Sequence, residues 1–173
     1  MNRNTDTREI TMTALVAALV FVATYIVRIP NPATGGYSHI GDGMIFLAVM
    51  FLGRKNGAIA AGLGAAMSDL LAGAAVWVLP TFIIKFCVAW IMGTIVHGVI
   101  TNSPRLYVGA ATGGIFQIVA YTLVKVLLVG SGPAIASIPN VTIQTIVGIA
   151  VFAVIYSCAG KPVQHFLAEG RSK

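Results

Sequence analysis

The sequence predicts an all-α membrane protein with six transmembrane helices, and composition, segmentation and length carry this prediction. The chain of 173 residues is 57% hydrophobic and 9% charged, with a mean hydropathy of +0.89, whereas soluble domains carry about 25% charged residues. Its apolar residues form long runs separated by short polar or proline-containing stretches. A membrane-spanning helix needs about 20 mostly apolar residues, so the length accommodates about six spans without a soluble domain. We therefore predict a single transmembrane domain over residues 1–173.

Prolines, caps and polar turns separate the predicted spans. Asp6 and Glu9 have the spacing of a capping box before the first apolar run, and no cleavage site follows it, so this helix is predicted to be retained. In "NSPR", Ser103 is the expected cap and Pro104 the first residue of the fifth helix. All seven prolines are expected between apolar runs or at their edges. The predicted spans are 10–28, 38–53, 57–75, 80–100, 105–129 and 139–160.

The distribution of lysine and arginine predicts the orientation of these spans, because cytoplasmic loops carry an excess of both residues. With the amino terminus inside, eight basic residues lie on the cytoplasmic side and only Arg28 lies outside. Both termini are therefore predicted to be cytoplasmic. The cytoplasmic set is Arg3, Arg8, Arg54, Lys55, Arg105, Lys161, Arg171 and Lys173.

Several function classes are excluded by what the sequence lacks. The net charge of +6 comes from scattered residues at segment ends, which does not indicate a nucleic-acid partner. Cys87 and Cys158 fall near opposite sides of the predicted bundle, so neither a disulfide nor a metal site is expected. "AGLGAAMSDLLAG" lies within a predicted membrane helix with no preceding strand, which excludes a phosphate-binding loop. No catalytic set is apparent, so we expect neither an enzyme nor a cofactor bound by this chain.

Charged residues inside the predicted spans indicate a functional site, because charge in a membrane is costly unless it is paired or used. Asp69, Lys85 and Lys125 lie at similar depths near the outer ends of three predicted helices, and Asp42 is also on the outer side. We expect Asp69 and Lys85 to pair, either directly or through a ligand. The two lysines and two aspartates balance, which predicts a nearly neutral pocket.

Polar residues four positions apart give three predicted helices a polar face in their outer halves. Such faces often join membrane helices to each other. Three of them at one depth favour a ligand site instead. These faces contain Thr81 and Lys85; Gln117, Tyr121 and Lys125; and Asn140 and Gln144.

The outer stretch "GGYSHIGDG" has the composition of a lid over this pocket, since its glycines allow tight turns and Tyr37 and His39 offer rings. The alternative is an ordinary interfacial loop with an aromatic anchor. A neutral, polar heteroaromatic ring could stack on Tyr37, Trp77 or Tyr121. Its hydrogen-bond partners are predicted to be Gln117, Asn140 and Gln144.

The stretch "YSHIGDGMIFLAVMFLGRKNGAIAAGLGAAMSDLLAG", followed by "LPTFIIKFCVAWIMG", resembles the substrate-binding S components of energy-coupling factor (ECF) vitamin transporters. The shared pattern is an aromatic and a His before Gly-Asp, then Gly-Ala repeats, Asp-Leu-Leu-x-Gly and Thr-x-x-x-Lys. The "LGRKNG" turn departs from the Leu-Gly-Pro-Lys-x-Gly expected of the family. Members that bind hydroxymethylpyrimidine, a thiamine precursor, or pyridoxine are the most similar, and the sequence does not separate these two.

The resemblance implies a multi-pass protein of the prokaryotic plasma membrane that binds a small vitamin from outside. Its partners would be a membrane-embedded T component and two cytoplasmic ATPase subunits, which use the ATP. "ALVAA" is similar to the AxxxA motif that docks S components onto the T component, which places docking on Ala14 and Ala18. These alanines could instead pack against the protein's own helices.

A stand-alone transporter or channel is the alternative function. A pore or proton relay would need polar groups through the inner halves of the helices. Those of the first, third and sixth predicted helices are almost entirely apolar or small. This pattern favours a binding subunit.

Overall fold

The computed structural model describes residues 3–31, 36–96 and 103–169, with side chains described for 7–27, 39–96 and 103–158. Within these ranges, five helical segments are long and apolar enough to cross a membrane, which confirms the predicted helical membrane fold to that extent. A short two-stranded hairpin accompanies them. The elements are α1 (Arg3–Ile26), β1 (Arg28–Asn31), β2 (Gly36–His39), α2 (Gly41–Leu71), α3 (Ala75–Ile95), α4 (Pro104–Val129), α5 (Ser131–Ala136) and α6 (Ile138–Glu169).

The helix α2 consists of two helical arms that fold back on each other at Gly53. This residue has φ 77° and ψ −177°, a conformation that only glycine adopts readily. A Cβ placed on Gly57 would lie 2.8 Å from the Cα of Val49, whereas residues eight apart in a straight helix are about 12 Å apart. The arms 41–52 and 54–71 therefore run side by side, and the turn lies where the sequence predicts a boundary between spans.

The two arms of α2 form the centre of the bundle, packed mainly against α1, α3 and α6. Small residues allow the close approach: a Cβ on Gly64 would lie 2.4 Å from the carbonyl oxygen of Ala17 in α1. Larger side chains fill the space between α2 and α6, where the rings of Phe46 and Phe152 pack edge to face at 5.9 Å. The protein thus combines closely packed backbones with a small aromatic core.

Several predicted helix ends are wrong. α1 begins at Arg3, so Asp6 lies inside the helix and not at its N-cap position. Pro80 and Pro162 lie within α3 and α6, because membrane helices tolerate a proline where neighbouring groups compensate for the missing backbone hydrogen bond. The cap of α4 is confirmed: Pro104 follows Ser103, whose hydroxyl accepts a hydrogen bond from the Arg105 backbone N–H.

The connection between α1 and α2 is a hairpin for which the sequence analysis predicted only a loop. β1 and β2 pair antiparallel, with Arg28 opposite His39 and Asn31 opposite Gly36. β2 contacts α6 and α1, which positions His39 at the start of α2. The Tyr37 side chain and residues 32–35 lie outside the described part, and so does His97.

Candidate functional site

A cavity of about 250 Å³ lies at one end of the bundle, where α1 and α4 end and α3 and α6 begin. The second arm of α2 ends at the same place. Chain segments that are distant in sequence therefore contribute to one wall. The lining residues are Thr24, His39, Asp69, Ala74, Trp77, Thr81, Tyr121, Lys125, Val129, Pro133, Ser137, Asn140, Val141 and Gln144.

Eight of the twelve residues that the sequence analysis assigned to the ligand line this cavity: His39, Asp69, Trp77, Thr81, Tyr121, Lys125, Asn140 and Gln144. Pro133 and Ser137 line the cavity without having been predicted, since they belong to or follow the short helix α5 between two predicted spans. Thr24 was not predicted either, because its neighbours on α1 are apolar and form no polar pattern with it. Tyr37 cannot be assigned, since its side chain lies outside the described part.

Asp42, Lys85 and Gln117 are absent from the cavity lining and form a buried polar cluster instead. Lys85 Nζ donates to Asp42 Oδ1 and to Gln117 Oε1, both at 2.5 Å. Gln117 Nε2 donates to Asp42 Oδ2 at 2.7 Å. The side chains therefore satisfy each other, as charged groups buried among apolar helices require.

Two residues of α6 complete this cluster. Gln144 Nε2 donates to Asp42 Oδ2 at 3.1 Å, and Thr145 Oγ1 accepts a hydrogen bond of 3.1 Å from Gln117 Nε2. Thr145 in turn donates to the backbone carbonyl of Val141. Gln144 is the residue that belongs to both the cluster and the cavity wall. We call Asp42, Lys85, Gln117, Gln144 and Thr145 the polar cluster.

The polar cluster corrects one expectation from the sequence. Lys85 makes its ion pair with Asp42 and not with Asp69, so the predicted direct pairing of Lys85 with Asp69 is wrong. The sequence did not predict how the helices are rotated about their axes: Asp69 lines the cavity, while Lys85 points into the centre of the bundle.

A glycine on α6 allows the approach of α2 that brings Asp42 into the cluster. A Cβ on Gly148 would lie 2.5 Å from the Cβ of Asp42. Any side chain at position 148 would therefore separate the two helices at this point. The close contact explains how Gln144, one turn earlier on α6, reaches the Asp42 carboxylate.

One wall of the cavity is aromatic. The rings of Trp77 and Tyr121 have centroids 6.2 Å apart at an interplanar angle of 47°. The Tyr121 hydroxyl donates to Thr81 Oγ1 at 3.2 Å, and Lys85 Nζ lies 5.4 Å from the Tyr121 ring centroid. These contacts hold the Tyr121 ring between the cavity and the polar cluster, in a geometry suited to a cation–π contact.

His39 connects the hairpin to the first arm of α2. Its Nδ1 accepts a hydrogen bond of 3.2 Å from the Gly41 backbone N–H, which occupies one of the free donors at the start of the helix. Because Nδ1 accepts, the proton of a neutral His39 ring is on Nε2. His39 therefore combines a capping contact with a position in the cavity wall.

The two alanines predicted for docking lie on the outer surface of α1. Ala14 and Ala18 are exposed, whereas Val16 and Val20 on the same helix are buried against the bundle. This face of α1 is therefore not used for packing against the described helices of the protein itself. Cys87 and Cys158 are both free thiols.

A sequence model of the family described as ECF-type riboflavin transporter, S component, matches residues 4–160. The chain belongs to this family. S components are transporter subunits, so this chain is a multi-pass membrane protein of substrate transport and not an enzyme.

This S component is also similar to one protein by sequence and to one solved structure by fold. It is 38% identical over 132 residues to "Uncharacterized protein in gap 3'region" of Pyrococcus woesei, an alignment that covers 76% of this chain and 88% of the relative. A solved structure described as "Structure and mechanism of the S component of a bacterial ECF transporter" matches with a TM-score of 0.74. That match covers 90% of this chain and 97% of the other at 21% identity, so it supports the fold alone.

Proposed function

We propose that this S component binds an uncharged, single-ring heteroaromatic vitamin or vitamin precursor, with hydroxymethylpyrimidine and pyridoxine as the candidates. The size of the cavity carries this proposal. About 250 Å³ is below the range of roughly 300–1,000 Å³ typical of sites for drug-sized ligands. One ring with small polar substituents fits such a volume, and the aromatic wall of Trp77 and Tyr121 offers it a stacking surface.

The charges around the cavity support a neutral ligand. Lys85 is neutralised by Asp42 within the polar cluster, so its charge does not face the ligand. The cavity wall itself contains Asp69 and Lys125, whose formal charges balance. An anionic vitamin would need a lysine without a balancing carboxylate, and the amides of Asn140 and Gln144 instead suit a polar neutral ring.

Riboflavin is the second candidate, because the family model that matches is described for riboflavin transporters. Its three fused rings and ribityl chain make it considerably larger than a pyrimidine or a pyridine. Riboflavin binding would therefore require the cavity to enlarge, for example through movement of the hairpin beside His39.

Calorimetry on the protein purified in detergent separates these ligands. We expect hydroxymethylpyrimidine or pyridoxine to bind at least about tenfold more tightly than riboflavin, a difference of about 1.4 kcal/mol. Mass spectrometry of co-purified small molecules gives an independent identification. Tighter binding of riboflavin or of an anionic vitamin than of both single-ring compounds would contradict the proposal.

We further propose that the single domain spans the plasma membrane six times, with both termini in the cytoplasm and the cavity facing outward. The fold-back at Gly53 supports two crossings by α2, although the arm 41–52 is only about 18 Å long against a hydrocarbon core of about 30 Å. The excess of lysine and arginine at the ends of the predicted spans on one side of the membrane supports the orientation, because cytoplasmic loops are rich in these residues. Single cysteines introduced at positions 2 and 172 in a variant without Cys87 and Cys158 test it: both should be labelled only in opened cells, and labelling in intact cells would contradict the orientation.

Transport is proposed to require a T component docked at Ala14 and Ala18 and two ATPase subunits that use ATP, with no cofactor bound by this chain. A stand-alone transporter or channel is the competing proposal. Reconstituted liposomes distinguish the two: we expect vitamin uptake only when the T component and the ATPases are present. Uptake by the isolated chain would support the stand-alone transporter.

A further inference from the structure

The side-chain amide of Gln144 has a defined orientation, because its neighbour Asp42 can only accept hydrogen bonds. The Gln144 amide nitrogen lies 3.1 Å from Asp42 Oδ2. Turning the amide over would bring its carbonyl oxygen against a carboxylate oxygen, which is repulsive. Chemistry therefore fixes the nitrogen toward Asp42 and leaves the carbonyl oxygen on the other side of the amide group.

The orientation of the Gln144 amide depends indirectly on the charge of Lys85. The ammonium group can only donate, so it requires the carbonyl oxygen of Gln117 and a carboxylate oxygen of Asp42 as its acceptors. The Gln117 amide nitrogen must then face Asp42 Oδ2, which it approaches to 2.7 Å. Each hydrogen bond in this series has one possible direction. The hydrogen bonds from Lys85 and Gln117 therefore hold the Asp42 carboxylate in place as the acceptor for Gln144.

The side chain of Gln144 is buried in the wall of the cavity, and its carbonyl oxygen is the acceptor that the contact with Asp42 leaves over. The residue is 6% exposed and lines the cavity. Among the residues that the structure describes, none donates a hydrogen bond to this oxygen. A ligand that displaces water from this oxygen without supplying a donor leaves the acceptor unsatisfied, so a ligand with an N–H or O–H group at this point is favoured.

We propose that Gln144, positioned by Asp42, is a specificity-determining residue that selects ligands with an N–H or O–H donor on the ring. This inference rests on the proposed function and narrows it to the class of amino- or hydroxy-substituted heteroaromatic rings. A ligand with the same ring but no donor at this point would leave the Gln144 carbonyl unsatisfied and bind more weakly. Sites built to hydrogen-bond a substrate group reject analogues without it more strongly than apolar pockets reject a missing methylene.

Matched ligand pairs test this selection by calorimetry on the full chain in detergent. The pairs are hydroxymethylpyrimidine and its analogue without the amino group, pyridoxine and 3-deoxypyridoxine, and riboflavin and N3-methylriboflavin. For the pair that binds, we expect the donor-bearing member to be preferred about tenfold or more by the natural protein. In Gln144→Met, which keeps the length of the side chain, the preference should fall below about threefold.

Thr142→Val is the matched control, since Thr142 lies on the same helix, outside the cavity lining, and donates to the carbonyl of Ile138. It should keep the full preference. A natural protein without preference, or a Gln144→Met variant that retains it, would overturn the inference while leaving the proposed function intact. If only riboflavin binds, the proposed single-ring ligand is wrong. The preference for riboflavin over N3-methylriboflavin then still tests the role of Gln144. Failure of all three pairs to bind the folded protein would overturn both.

The role of Asp42 is tested by the double variant Asp42→Asn/Lys85→Met, which removes both charges of the ion pair and leaves no unpaired charge in the polar cluster. An asparagine can donate as well as accept, so it no longer fixes the Gln144 amide. The preference for the donor-bearing ligand should then drop at least about threefold in a variant that still unfolds cooperatively. An unchanged preference would show that Asp42 does not position Gln144. If this double variant does not fold, the Gln144→Met comparison decides the inference.

Discussion

Asp42 and Lys85 are 43 residues apart in the sequence, yet the Lys85 ammonium lies 2.5 Å from the Asp42 carboxylate and both side chains are almost completely buried. The pair connects the first arm of α2 to α3, and Asp42 also accepts a hydrogen bond from the cavity-lining residue Gln144. Because neither group reaches water, each depends on the other for compensation of its charge.

Replacing one partner of this pair should lower the free energy of unfolding more than replacing both. We expect Lys85→Met or Asp42→Asn alone to reduce the free energy of unfolding by about 3–5 kcal/mol, since each leaves an uncompensated buried charge. The double variant should cost clearly less than the sum of the two. Thermal or denaturant unfolding in detergent measures all three variants.

The control for this cycle is Lys125→Met, because Lys125 lies at the cavity wall and is only partly buried. Its effect should add to that of Asp42→Asn. Additive effects of the Asp42 and Lys85 substitutions would contradict the energetic coupling of the pair.

Even a methyl group at Gly148 should destabilise the protein. In Gly148→Ala the new Cβ would lie 2.5 Å from the Asp42 Cβ, so α6 must move away from the first arm of α2. We expect a loss of about 1–3 kcal/mol in the free energy of unfolding, typical of overpacking, together with weaker ligand binding because Gln144 moves with α6.

Gly132→Ala is the matched control, since a Cβ there meets no atom within 4 Å. It should change stability by less than about 0.5 kcal/mol. Equal stability of the two alanine variants would show that the contact between α6 and Asp42 tolerates a methyl group.

The turn at Gly53 should depend on backbone conformation and not on space. A Cβ at this position meets no atom within 4 Å, but φ 77° with ψ −177° is strained for every other residue. Gly53→Ala should therefore cost about 1–3 kcal/mol of unfolding free energy. Gly132→Ala, which adds the same methyl group without this strain, again provides the comparison, and an equally stable Gly53→Ala would argue against the fold-back conformation.

The sequence predicted which residues lie at one end of the bundle, because depth along a helix follows directly from counting residues. It could not predict helix rotation, which depends on close contacts between helices. Lys85 was therefore expected beside Asp69, while the contact between Gly148 and Asp42 gives it a different partner. The hairpin was missed for a similar reason: the pairing of Arg28 with His39 joins segments whose local sequence has only the signals of a loop.

The docking prediction concerns the exposed face of α1. Ala14 and Ala18 lie four residues apart on the outside of the bundle, and their small side chains allow another helix to approach closely. If the T component docks here, Ala14→Trp or Ala18→Trp should reduce vitamin uptake by the complete transporter about tenfold or more, since a bulky ring prevents the close approach of the two helices. Ligand affinity of the isolated chain should stay within about twofold, because neither alanine contributes to the cavity lining.

Val154→Trp is the matched control for docking, since Val154 is 64% exposed on α6, on a helix with no predicted docking motif. It should leave both uptake and affinity unchanged. Uptake and ligand affinity must be measured on the same variants, because a substitution that damages folding lowers both, whereas a lost docking contact lowers uptake alone. Full uptake by the Ala14 and Ala18 variants, or an equal loss in Val154→Trp, would place the docking face elsewhere on the bundle.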